Sequence, residues 1–135
     1  MLKFVVAAFF ILHGLVHLLY CGQCLRLYEL QPGMVWPDGS WVFSRLLGDE
    51  RARLVAVVAL VLAASGFVVA GVGLAARQAW WQPVVVAAVL LSAVLFVLFW
   101  DGNWQHLDEK GAFALLINGA VFAAVALFRW PNFGF

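Results

Sequence analysis

Four long apolar stretches divide the chain. They run from about Leu2 to Tyr20, Ala52 to Ala76, Trp80 to Trp100 and Gly111 to Trp130, and the charged residues fall almost entirely between them. Each reaches or approaches the roughly 20 residues that an α-helix needs to cross about 30 Å of hydrocarbon. The pattern predicts an all-α integral membrane four-helix bundle forming a single domain over residues 1–135. With an even number of crossings both ends of the chain share one side, here side A, together with the short Arg77 link. Side B carries the two longer loops.

The first segment has good helix formers as far as Leu30, so the spacing predicts a helix running past the membrane to a stop at Pro32-Gly33. The loop over residues 31–48 is rich in aromatics, with Trp36, Trp41 and Phe43. Its second half, from Ser40 to Leu47, reads as a short interfacial helix capped by Ser40 and ended by Gly48. Asp49 is placed to cap the second segment. Gly66 with Ala70, and Gly119 with Ala123, are small pairs four apart that let helices approach closely. The Arg77 link is short enough to make segments two and three an antiparallel hairpin. Pro83 is tolerated in the first turn of segment three, and Trp80, Trp81 and Trp100 mark the two membrane interfaces.

Composition agrees with this and narrows the partners. The 135 residues are 66% hydrophobic and 11% charged, with a mean hydropathy of +1.00, far from the balance of a soluble domain. The partners expected are the lipid bilayer and other transmembrane helices, in a homo-oligomer or a larger membrane complex. A net charge of +1 without a basic cluster gives no footprint for nucleic acid. Side B holds Arg26, Arg45, Arg51, Arg53 and Lys110 against Lys3, Arg77 and Arg129 on side A, so the positive-inside rule leans towards a cytoplasmic side B.

Candidate chemistry concentrates in Leu12–Cys24. On a helix His13, His17, Cys21 and Cys24 stand at roughly 0°, 40°, 80° and 20° and form one stripe. Asn118 lies about 10 Å into segment four, matching the depth of His13. Polar groups at such depth are expected to face the bundle interior, so His13, His17 and Asn118 predict a shared polar pocket. Two readings of the stripe stand side by side. In one the histidines hydrogen-bond across helices and the cysteines pack as small apolar groups. In the other a metal or redox centre uses Cys21, Cys24 and His17, completed by His106 or Asp101, with zinc, copper, haem or quinone as the candidate cofactor. The stripe is about 16 Å long, so at most two or three of its members share one ion. Cys21 and Cys24, three apart, are close enough for a disulfide, and the topology lean favours free thiols. For hydrolytic chemistry Ser65 and Ser92 offer no nearby base.

The motifs Leu12-His13-Gly14-Leu15-Val16-His17-Leu18, Gly71-Val72-Gly73-Leu74 with Trp80-Trp81, Phe99-Trp100 and Leu115-Leu116-Ile117-Asn118 resemble those of small bacterial four-helix membrane proteins, DoxX-like in plan and often labelled permeases. That resemblance implies a multi-pass bundle in the bacterial cytoplasmic membrane and no particular reaction. It does not extend to Cys21-Gly22-Gln23-Cys24, the aromatic first loop or the turn holding His106. The CxxC pair in a four-helix frame also resembles thiol–quinone oxidoreductases of the DsbB and vitamin K epoxide reductase type, although their second cysteine pair has no counterpart here. The two classes of function expected are therefore a non-enzymatic bundle, acting as an accessory or assembly subunit or small-solute permease, and a membrane redox or metal protein.

Overall fold

A computed structural model describes every residue except Asp38. It is all-α, with no strand among the described residues. The elements are α1 (Leu2–Cys24), the short α2 (Phe43–Leu47), α3 (Asp49–Ala75), α4 (Trp81–Leu98) and α5 (Ala112–Phe122), the last continued by a π-helical turn (Ala123–Leu127). Helices α1, α3 and α4 are long and apolar enough to cross a membrane. The fourth apolar segment, Ala112–Leu127, is shorter.

Helix α1 explains why this fold suits lipid. Its apolar residues Leu12, Leu15, Leu18 and Leu19 face outward, while His13, Gly14, His17, Cys21 and Cys24 are buried. A soluble helix is built the other way round. In hydrocarbon, outward leucine costs nothing and inward polarity is the only affordable arrangement.

The helices pack in the sequence α1 on α3, α3 on α4 and α4 on α5. Small residues make the first two contacts tight. A Cβ at Gly14 would stand 2.9 Å from the Ala64 carbonyl oxygen, and one at Gly71 would stand 2.8 Å from that of Ala7. Gly66 likewise admits Ala88 of α4, as the Gly66–Ala70 pair predicts. Gly119 departs from the prediction, because a Cβ there would meet nothing within 4 Å. That residue faces away from the bundle and packs no helix of this chain.

Two apolar clusters fill the interior. One, towards side A, gathers Phe10, Phe67, Leu74, Trp81, Val85 and Val121. The other, towards side B, gathers Cys21, Cys24, Met34, Trp36, Leu60, Phe96 and Phe99. Trp81 therefore sits in the core, with Phe10 and Phe133 as ring neighbours, and only Trp80 of that pair is exposed.

The predicted extension of α1 to Leu30 does not form. Arg26 takes a left-handed conformation (φ 57°). The Arg26 N–H then donates to Gln23 O at 2.9 Å and the Leu27 N–H to Gly22 O at 3.0 Å. These bonds close a Schellman motif that satisfies the last carbonyls of the helix. Tyr28 folds back across Gly22 and donates its hydroxyl to Leu19 O at 2.9 Å. The Gln23 side chain then pins the loop, donating to Met34 O at 2.9 Å and accepting from the Leu30 N–H at 2.8 Å. The same device ends α3, where Arg77 has φ 59°, Gln78 N–H donates to Gly73 O at 2.8 Å and Trp80 covers Gly73.

Ser40 works harder than a cap. Its hydroxyl oxygen accepts from the Phe43 N–H at 2.9 Å and donates to Leu98 O at 2.5 Å, while the Trp41 indole donates to Val97 O at 2.9 Å. The first loop thus satisfies carbonyls left over at the end of α4, groups that an apolar setting would penalise. Gly48, rather than Asp49, is the N-cap of α3, with Asp49 and Glu50 in its positive first turn.

Candidate polar site in the bundle interior

Between the two apolar clusters lies a small set of buried polar side chains from three helices. His13 and His17 come from α1, Ser92 from α4 and Asn118 from α5, and each is at most 6% exposed. His17, Ser92 and Asn118 stand six or seven residues from the side-B end of their helices and so lie near one level, with His13 one turn deeper.

The contacts form a directed ring. His13 Nε2 lies 3.1 Å from Asn118 Oδ1, Asn118 Nδ2 lies 2.8 Å from Ser92 Oγ, Ser92 Oγ lies 2.7 Å from His17 Nε2, and His17 Nδ1 lies 2.9 Å from His13 O. A backbone carbonyl only accepts, so His17 carries its proton on Nδ1. Its Nε2 then accepts from the Ser92 hydroxyl. Ser92 Oγ accepts in turn from the Asn118 amide, and Asn118 Oδ1 accepts from a proton on His13 Nε2.

The opposite orientation of the Asn118 amide fails. It would make Ser92 donate to Asn118 and accept from His17 Nε2, so that both nitrogens of His17 would carry protons. A charged imidazole would then sit inside an apolar bundle, at a cost of several kcal/mol. The orientation that keeps both imidazoles neutral is the one that persists.

Aromatic rings wall the ring in. Phe67 meets His13 edge-on at a centroid separation of 4.7 Å and His17 at 5.3 Å, while Phe9 stacks on His13 at 5.9 Å and Phe96 lies 6.0 Å from His17. The predicted pocket of His13, His17 and Asn118 is therefore assembled as a filled site. Ser92 is its unanticipated member, and the expectation that Ser92 has no base nearby is corrected by the His17 contact. That contact has the form of a nucleophile and its base. It lacks what the chemistry needs: Ser92 is 0% exposed, and Asn118 donates into its attacking oxygen. His17 is also oriented by a carbonyl instead of a carboxylate able to hold an imidazolium. Ser65 spends its hydroxyl on Val61 O of its own helix, at 2.8 Å.

The remaining candidates lie elsewhere. Cys21 and Cys24 are both buried in the side-B cluster, among Met34, Trp36 and Phe99, and do not join the ring. His106 is on the outer turn, with Nδ1 3.6 Å from Glu109 Oε1 and its side chain 72% exposed. Asp101 is held by Lys110 at 2.8 Å and caps the Asn103 N–H at 2.9 Å. Desolvation would raise the Asp101 pKa, but the Lys110 and Asn103 hydrogen bonds outweigh it and leave the carboxyl below its ordinary range. Among the described residues no three His, Cys, Asp or Glu side chains converge to hold a metal ion. Three of the four imidazole nitrogens of His13 and His17, Nε2 of both and Nδ1 of His17, are engaged in the ring. Compared with protein-family models, curated proteins and solved structures, the chain has no match.

Proposed function

We propose that this chain is a multi-pass protein of the bacterial cytoplasmic membrane, crossing it four times in a DoxX-like plan, and that it serves as a non-enzymatic accessory or assembly subunit. One observation carries the reading. Between two apolar clusters, His13, His17, Ser92 and Asn118 spend their hydrogen bonds on one another and on the His13 carbonyl. Chemistry or solute passage at this level of the bundle would need one of these groups to face a cavity instead of its neighbours. A spent ring inside a bundle supports a packing role, in which polar contacts fix helix register where hydrophobicity cannot.

The test is to purify the protein in mild detergent and measure its metal content, its visible and ultraviolet absorbance and its size on a native gel. The expected result is a colourless, metal-free protein migrating within a larger assembly. Stoichiometric zinc, copper, haem or quinone would favour the membrane redox reading instead. That second reading draws its support from the placement of Cys21 and Cys24 together in one buried cluster.

A further inference from the structure

The seam between α1 and α5 is unlike the others. Its side-A half is an open groove of about 450 Å³, walled by Val5, Phe9 and Phe10 on one side and Ala120, Ala124 and Trp130 on the other. The His13–Asn118 hydrogen bond lies further along the same seam, beyond Phe9 and Phe10. At its mouth the chain reverses after the π-helical turn. Arg129 takes φ 51°, the Trp130 N–H donates to Ala124 O at 2.8 Å, and Trp130 and Pro131 are laid along the opening.

Size decides what fits. The α1 wall from Leu2 to Phe10 is about 12 Å long, more than two helical turns, whereas the groove's volume equals roughly one turn of a helix about 10 Å across. A partner helix would stand outside it. An extended methylene chain, much narrower, runs its whole length. Charge decides which chain. Lys3 follows the lining residue Leu2 in sequence, Arg129 precedes the lining residue Trp130, and Arg77 closes α3 at the same end of the bundle. The acids of the described residues fall between Glu29 and Glu109, in the segments at the opposite end. Lys3 donates one proton to Ala75 O at 3.0 Å, and its ammonium carries two more.

We propose that this groove binds one acyl chain of an anionic phospholipid from the side-A leaflet, with the phosphate at the Lys3 and Arg129 end. The bound lipid completes the seam that α1 and α5 leave unpacked. It also extends the packing role, since a chain held there fills a void that would otherwise forfeit contacts.

Native mass spectrometry of the full chain, released from vesicles of phosphatidylglycerol and phosphatidylcholine, tests this. One phosphatidylglycerol should survive conditions that strip phosphatidylcholine. Ala124→Trp, which fills the groove, should abolish retention. Arg129→Gln should lower the preference for phosphatidylglycerol about fivefold, the worth of one cation near a headgroup. If Ala124→Trp does not fold, Val5→Trp fills the groove from the other wall. In the wild type, a phosphatidylglycerol photoreactive along its acyl chain should label residues 2–10 and 120–131. The proposal is overturned if no lipid is retained, if both lipids are retained equally, if a filled groove retains lipid as before, or if the label falls elsewhere. Cross-linking between copies through Phe9 and Ala120 would also overturn it, assigning the groove to a second chain.

Discussion

The two faces of α1 are joined to their neighbours by opposite means. Towards α3, glycine brings backbone against backbone, with Gly14 under Ala64 and Gly71 under Ala7, and the contact runs the length of the helix. Towards α5 there is one buried hydrogen bond, His13 to Asn118, and an apolar groove beside it. The contrast shows what holds helices together when lipid removes the hydrophobic drive between them. Close approach serves where small residues face inward, and a polar contact serves where they do not. On α5 the small residue Gly119 faces outward, so Asn118 carries the link.

The sharpest way to break this comparison is one substitution made in both places. Gly71→Ala puts a methyl into the Ala7 carbonyl and Ile11, and should destabilise the protein by about 1–3 kcal/mol, seen as a lower midpoint in thermal or denaturant unfolding in detergent. Asn118→Leu comes next. It strands His13 and Ser92 without their partner and should cost about 1–2 kcal/mol, with Ser92→Ala somewhat less. If Asn118→Leu is neutral while Ser92→Ala is damaging, the link between α1 and α5 lies elsewhere. Gly119→Ala should have the opposite sign to Gly71→Ala, stabilising by roughly 0.5–1 kcal/mol, because it removes a helix-interior glycine and meets nothing.

The smallest effect expected belongs to the outer turn. The folded-state pKa of Asp101 lies below its ordinary value, so its contribution is complete above about pH 4, the unfolded carboxyl's range, and is lost as pH falls through the folded value. The Lys110–Asp101 pair is solvent-screened and is worth a few tenths of a kcal/mol. Lys110→Gln should therefore flatten a shallow acid dependence of stability below pH 4 and leave neutral stability nearly unchanged.

Much of this was legible in the residues. Hydropathy marks α1, α3 and α4 because crossing lengths leave few alternatives. The inward turn of His13, His17 and Asn118 follows from the penalty on polar groups in an apolar setting, although α1 runs on to Cys24 and so places His17, not His13, at the depth of Asn118. Ser92 was legible by the same rule, six residues from the end of α4 as Asn118 is six from the start of α5, but serine is common enough in apolar helices that its type gives no warning. The end of α1 was not legible, because the turn at the left-handed Arg26 is flanked by Tyr28 reaching back to Leu19 and Gln23 reaching forward to Leu30 and Met34, contacts between residues that carry no breaker signal. The outward turn of Gly119 was equally hidden, since a small pair four apart marks a seam without saying which neighbour fills it.

The protons of the closed, neutral ring of His13, His17, Ser92 and Asn118 can be observed directly. Nitrogen-15 NMR of histidine-labelled protein in lipid nanodiscs distinguishes the two tautomers of a neutral imidazole from its charged form. His13 should be protonated on Nε2 and His17 on Nδ1, each identified by loss of its signal in His13→Gln or His17→Gln, and neither shifted by added zinc. The same tautomer for both, a charged His17, or a zinc-dependent shift of either would contradict it.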